Sequence, residues 1–194
     1  MLRLSFLLSL FFLFSNSYAQ NDLEWNESYK LSLSDFKSPS QEIGNLNQYT
    51  LFSAISLEFK YLMSSYEFMA TKNFNDKVIS VMKRDAAYLI APDTLFAHQL
   101  IAFTQFEFDF AELCARKIRK KIYEEKKAFS NANLLQQVYD EYYQEFVNKL
   151  SLYAKQCDLG RKKELLESFH KEILVELNQY KEFCKTCKPT KNRK

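Results

Sequence analysis

From Phe96 onward a row of positions three or four residues apart, Phe96, Leu100, Phe103, Glu107, Phe110 and Cys114, falls on one face of a helix and is apolar at all but Glu107. The pattern predicts one long helix over Ala91–Lys127. Pro92 suits its first turn, where a missing N–H costs nothing, and Asp93 complements the positive end of its dipole. Two further stripes follow: Leu135, Val138, Tyr142, Phe146, Leu150 and Tyr153, then Leu166, Phe169, Ile173, Leu177, Tyr180 and Cys184. Gly160 separates them, so an antiparallel helix pair is expected, with Ser130–Asn133 as the turn and N-cap that open it. Upstream the period changes to two. Ile55–Tyr61 alternates apolar and polar residues, Lys77–Met82 is rich in β-branched residues, and Leu31 and Leu33 alternate with Ser32 and Ser34 as in a half-buried strand. The expected class is α+β: a small N-terminal antiparallel sheet, a long central helix and a C-terminal antiparallel helix pair.

The first residues follow another rule. Arg3, the apolar run Leu4–Phe14, and small residues at Ser17 and Ala19 have the form of a secretory leader cleaved after Ala19. Residues 20–194 are then one domain, expected to be exported to a periplasmic or extracellular location with no transmembrane segment left after cleavage. Removing Arg3 lowers the formal charge from +3 to +2, so the balance calls for no nucleic-acid partner. The basic run Arg116–Lys121 reads as a solvated helix face. Eighteen Phe and 12 Tyr against 2 Gly favour packed elements and exclude a glycine-rich phosphate loop.

Candidate chemistry is sparse. Glu107 interrupts the apolar row between Phe103 and Phe110, and a buried carboxylate is costly unless paired, hydrogen-bonded or metal-bound. Glu107, Asp109, Glu112 and His98 are the metal-ligand candidates; oxygen ligands of this kind suit Ca²⁺ or Mg²⁺ better than Zn²⁺. Asp109 falls on a different face from Glu107, and Glu112 and Arg116, spaced i,i+4, form a helix-surface ion pair. His170 is the second histidine, and each histidine reads as surface-exposed or hydrogen-bonded. The disulfide candidates are Cys184, Cys187, Cys114 and Cys157, which allow three complete pairings. A hairpin turning near Gly160 leaves Cys184 roughly 35 Å from Cys157, which disfavours that bridge. Cys184 and Cys187 could bond to each other or form a C-x-x-C pair.

The segment Phe103–Lys117 resembles the active-helix segment of a bacterial family, domain of unknown function 922, which is similar to zincin-type peptidases. The family segment reads approximately H-E-Q-x-H-F-D-I-A-E-L-Y-A-R-K, and Gln105, Phe108, Asp109, Ala111, Glu112, Leu113, Ala115, Arg116 and Lys117 match it. Trp25, Leu31, Asp35 and Phe36 lie on its N-terminal pattern, W followed by L-T-W-x-D-F-x-x-x-P, with Leu33 where the second Trp would be and Pro39 one residue short of the pattern's Pro. Ala87, Tyr88 and Leu89 occupy the place of a short S-W-V-like segment. The resemblance implies a zincin-like domain and a zinc cofactor, but the residues that carry the chemistry differ. Phe103 and Glu107 stand where the two metal-binding His would be, and Thr104 where the catalytic Glu would be. In H-E-x-x-H two imidazoles at i and i+4 hold Zn²⁺ and the Glu takes a proton from its water. A second polar segment, similar to Y-D-x-x-T-x-H-G in the family, is reduced here to Cys157-Asp158-Leu159-Gly160.

The expectation is therefore an exported, non-catalytic relative of a zinc-dependent metalloprotease family, without catalytic residues and with zinc lost. It would act as a binding or envelope-associated protein whose partner is a protein or peptide. The alternatives are a hydrolase with a non-standard metal site built from Glu107 and nearby acidic or His residues, and a purely structural envelope protein.

Overall fold

In a computed structural model the chain is described over residues 21–44, 47–59, 64–71, 73–125 and 133–189. The expected leader, the Ser130–Ala132 turn and the helix end at 126–127 lie outside these residues. The fold is α+β, and a single helix organises it. Strands β1 (Asp22–Glu24), β2 (Glu42–Ile43), β3 (Thr50–Phe52) and β4 (Ile55–Phe59) precede a short helix α1 (Ser65–Ala70). Then come β5 (Val78–Lys83), β6 (Tyr88–Ala91), and helices α2 (Thr94–Glu125), α3 (Asn133–Cys157) and α4 (Lys163–Gln179).

The strands form two three-stranded sheets. β5 lies between β1 and β4, antiparallel to both, with Leu57 opposite Ser80 and Leu23 opposite Met82. Its residues Val78–Met82 are all buried, as suits a central strand covered on both faces. In the second sheet β6 lies between β3, antiparallel, and β2, parallel. The sequence pattern anticipated β4 and β5 but neither the second sheet nor its parallel pair, because β2 and β3 are only two and three residues long and too short for an alternation to register.

Helix α2 has 32 residues, so it runs for about 48 Å. It begins later than expected: Ala91 belongs to β6, and Asp93 acts as the cap, its Oδ1 accepting the Phe96 N–H at 2.9 Å. Both sheets and both later helices pack around it, and every residue from Phe106 to Arg116 is buried. One cluster gathers Phe106, Phe110, Leu113 and Ile118 with Phe146 of α3 and Ile173 of α4; another gathers Leu100, Ile101 and Phe108 with Leu31, Phe36 and Leu89.

Three local expectations are corrected. Leu33–Asp35 is a turn of 3-10 helix, not strand, because Asp35 Oδ2 accepts the Ser32 N–H at 2.9 Å and closes the backbone on itself. The run Arg116–Lys121 is not a solvated face, since Arg116 and Arg119 are buried. The pair Glu112–Arg116 forms at 3.0 Å, but in the interior.

The turn between α3 and α4 is built on left-handed backbone at three successive residues, Asp158 (φ 52°), Leu159 (φ 51°) and Gly160 (φ 96°). Gly160 is required twice over: by its φ, and because a Cβ there would lie 2.4 Å from the Gln99 carbonyl oxygen of α2. Tyr49 fastens the turn by donating its hydroxyl to Asp158 at 2.7 Å.

Candidate functional site

Three of the acidic residues of α2, Glu107, Asp109 and Glu112, face three different environments. Successive helical residues are turned by about 100°, so Glu107 and Asp109 point to nearly opposite sides.

Asp109 is tied to the N-terminal segment and to α4. Its Oδ1 accepts the Trp25 indole N–H at 2.7 Å; its Oδ2 lies 2.7 Å from His170 Nε2 and accepts the Gln105 amide at 3.2 Å. Gln105 in turn accepts the Leu31 N–H at 2.9 Å, so one carboxylate and one amide hold Trp25, Leu31 and α4 against α2. Sequence reasoning placed His170 as hydrogen-bonded or exposed but gave it no partner. The signal was available in Trp25, the chain's one Trp, whose N–H needs an acceptor when it packs inward.

Glu112 is the centre of a buried ionic cluster. Its Oε1 accepts from Arg116 Nε at 3.0 Å and from Arg119 at 2.7 Å, and its Oε2 accepts the Ser80 hydroxyl of β5 at 2.8 Å. Remaining guanidinium hydrogens reach backbone carbonyls: Arg119 donates to Val78 and Phe183, and Arg116 to Leu177. Arg116 also lies over the Trp25 ring, 5.2 Å from its centroid. The cluster joins β5, α2, α4 and the C-terminal segment, and it leaves Glu112 no accessible lone pair for a ligand.

Glu107 alone faces a cavity. The Ser53 hydroxyl, in the link between β3 and β4, donates to its Oε1 at 2.8 Å. Ala54, next in that link, has φ 51°, a left-handed turn that lets the chain leave one sheet for the other and sets Ser53 over α2. The cavity holds about 330 Å³ and is walled by Leu51, Phe103, Leu150, Ala154 and Leu159, with Phe52 and Val147 at its rim. Glu107 is 6% exposed, and burial pushes its carboxyl up to about 7, the Ser53 hydrogen bond opposing that rise. The positive-φ Leu159 places the helix turn itself in the cavity wall.

Phe103, Thr104 and Glu107 therefore do distinct structural work. Phe103 is buried against Phe106, their ring centroids 5.8 Å apart. The Thr104 hydroxyl donates to the Leu100 carbonyl at 2.9 Å, within its own helix. Neither side chain supplies a metal ligand, and Glu107 is one carboxylate without a second donor, so this set does not fit zinc. His98 is exposed on α2, outside the cavity wall. Among the described residues no three His, Cys, Asp or Glu side chains converge as a metal would require.

Of the cysteines, Cys184 and Cys187 are bonded to each other, while Cys114 and Cys157 are buried free thiols. Burial pushes the Cys114 thiol up to about 12, which leaves it inert as a nucleophile near neutral pH. No helix of the described residues is long and apolar enough to cross a membrane. In comparisons of sequence and of fold, no protein family, no curated protein and no solved structure matches this chain.

Proposed function

We propose that this protein is an exported, non-catalytic relative of the zincin-like domain of unknown function 922 family, and that it works by binding in the cavity beside Glu107. The observation that carries this reading is the state of the three helix positions where the resemblance implies chemistry. Phe103 is core, the Thr104 hydroxyl is spent on the Leu100 carbonyl, and Glu107 is held by Ser53. Among the described residues the two free thiols, Cys114 and Cys157, are buried, and burial holds the Cys114 thiol protonated near neutral pH.

The residues that carry the resemblance outside those three positions are structural. Gln105, Asp109, Glu112 and Arg116 form the buried contacts that hold Trp25, Leu31, β5 and α4 to the central helix. A chain that loses its catalytic groups while its folding determinants persist would keep the resemblance at those residues. The cavity gives the retained frame something to bind with, since it is concave, mainly apolar and contains one polar focus.

The test is a peptidase assay on the purified mature protein with unfolded casein as substrate, with and without added zinc. The reading expects no cleavage above a buffer control under either condition. Zinc-dependent cleavage that co-purifies with the protein and vanishes in a Glu107→Leu variant would overturn it.

A further inference from the structure

We infer that the cavity beside Glu107 is a binding site for a small aliphatic amine, its ammonium on the Glu107 carboxylate and its hydrocarbon chain along Leu51, Leu150, Ala154 and Leu159. The assignment rests on the non-catalytic reading of this cavity and adds its ligand class.

Three observations carry it. The first is an unmet charge requirement. Ser53 is the only hydrogen-bond partner of the Glu107 carboxylate among the described residues, and it occupies Oε1; Oε2 takes no hydrogen bond from the described residues and is open to the cavity and its solvent. The side chain is more than nine-tenths buried, a setting in which a carboxylate is stable only when neutralised or paired. The second is the absence of a counter-ion in the walls. The β3–β4 link contributes Leu51, Phe52 and Ser53, helix α2 contributes Phe103, helix α3 contributes Val147, Leu150, Ser151 and Ala154, and the turn contributes Leu159. None of these titrates or carries charge, so among the described residues Glu107 has no counter-ion, and its carboxyl is neutralised either by its own proton or by a cation that a ligand brings.

The third is size and shape. About 330 Å³ lies at the small end of the range for small-molecule sites, enough for a short hydrocarbon chain. A second hydroxyl, that of Ser151, also lies on the wall. Exposed rim residues, Phe52 at 50% and Val147 at 41%, offer the far end of the chain an apolar exit.

Ionisation gives the site a pH signature. With its carboxyl pushed up to about 7, Glu107 is largely neutral at pH 6 and largely ionised at pH 8, while an alkyl amine stays protonated across that range. Amine affinity therefore rises about tenfold from pH 6 to pH 8, whereas a neutral isostere shows no such rise.

The experiment titrates hexylamine, hexanol and hexanoate into the mature protein at pH 6 and pH 8, following backbone amides of Ser53, Glu107 and Ser151 by ¹H–¹⁵N NMR. The expected result is saturable hexylamine binding about tenfold tighter at pH 8, hexanol weaker at pH 8, and hexanoate weakest. In Glu107→Gln, whose fold the same spectra verify, hexylamine loses its advantage over hexanol. Hexanol or hexanoate binding as tightly as hexylamine at pH 8 would overturn the assignment, as would no shifts with any of the three. Neither result bears on the non-catalytic reading, which fails only if zinc-dependent cleavage is found.

Discussion

The Arg119 guanidinium meets the Glu112 carboxylate at 2.7 Å in the interior, with Arg119 only 1% exposed and Arg116 on the same oxygen at 3.0 Å. Two cations and one anion so placed are tolerable because backbone carbonyls of Val78, Phe183 and Leu177 accept the remaining guanidinium hydrogens. Glu112→Gln strands both guanidinium groups without a carboxylate. It is expected to cost roughly 3–5 kcal/mol, the range for breaking a buried pair from one side, measured by urea denaturation at pH 7.

Trp25→Phe keeps an aromatic ring near Arg116 but removes the N–H that Asp109 accepts at 2.7 Å. The expected loss is about 1–3 kcal/mol, the cost of leaving a buried acceptor short of a donor. Denaturation followed by circular dichroism measures it.

Gly160→Ala combines a left-handed φ of 96° with a Cβ placed 2.4 Å from the Gln99 carbonyl oxygen. That atom is backbone of α2 and cannot swing aside. The strain at such a φ is about 1–3 kcal/mol, and the clash adds to it. A melting temperature unchanged within a degree would contradict this account of the turn.

Glu107 links stability to pH with a definite sign. Its folded carboxyl sits near 7, above the ordinary 4.5, so the folded state holds this proton more tightly than the unfolded chain does. The resulting stabilisation is complete below about pH 4.5 and is lost as pH rises through about 7. Glu107→Gln lacks this slope, and relative to the parent it is expected to gain stability between pH 5 and 8, by up to roughly 3 kcal/mol. Glu107→Leu should likewise leave the fold intact or more stable at pH 8. Thermal melts across pH 4–8 check both variants, and a large loss of melting temperature in Glu107→Leu would show that the carboxylate holds the fold together.

Much of the fold was legible in the sequence because its elements are long and periodic. Helices α2, α3 and α4 carry several turns of apolar residues, β4 an alternation of apolar and polar residues, and β5 a run rich in β-branched residues. What was illegible depends on pairing between distant residues. Nothing local marks Ser53 as the partner of Glu107 or His170 as the partner of Asp109, since 54 and 61 residues separate them. The basic run misled for a related reason: charge predicts a solvated face only when no carboxylate lies inside, and Glu112 does. At the candidate site, the sequence showed Glu107 in an apolar row and a turn at Gly160; the cavity in front of Glu107 also depends on the Ala54 backbone turn, which has no glycine to announce it.

The central proposal is that the helix holds no zinc at Phe103–Glu107, and the direct test is metal content. The purified mature protein would be loaded with zinc, dialysed, and analysed by inductively coupled plasma mass spectrometry. The account predicts far less than one zinc per chain. One tightly held equivalent, lost in Glu107→Leu, would contradict it and make Glu107 a metal ligand.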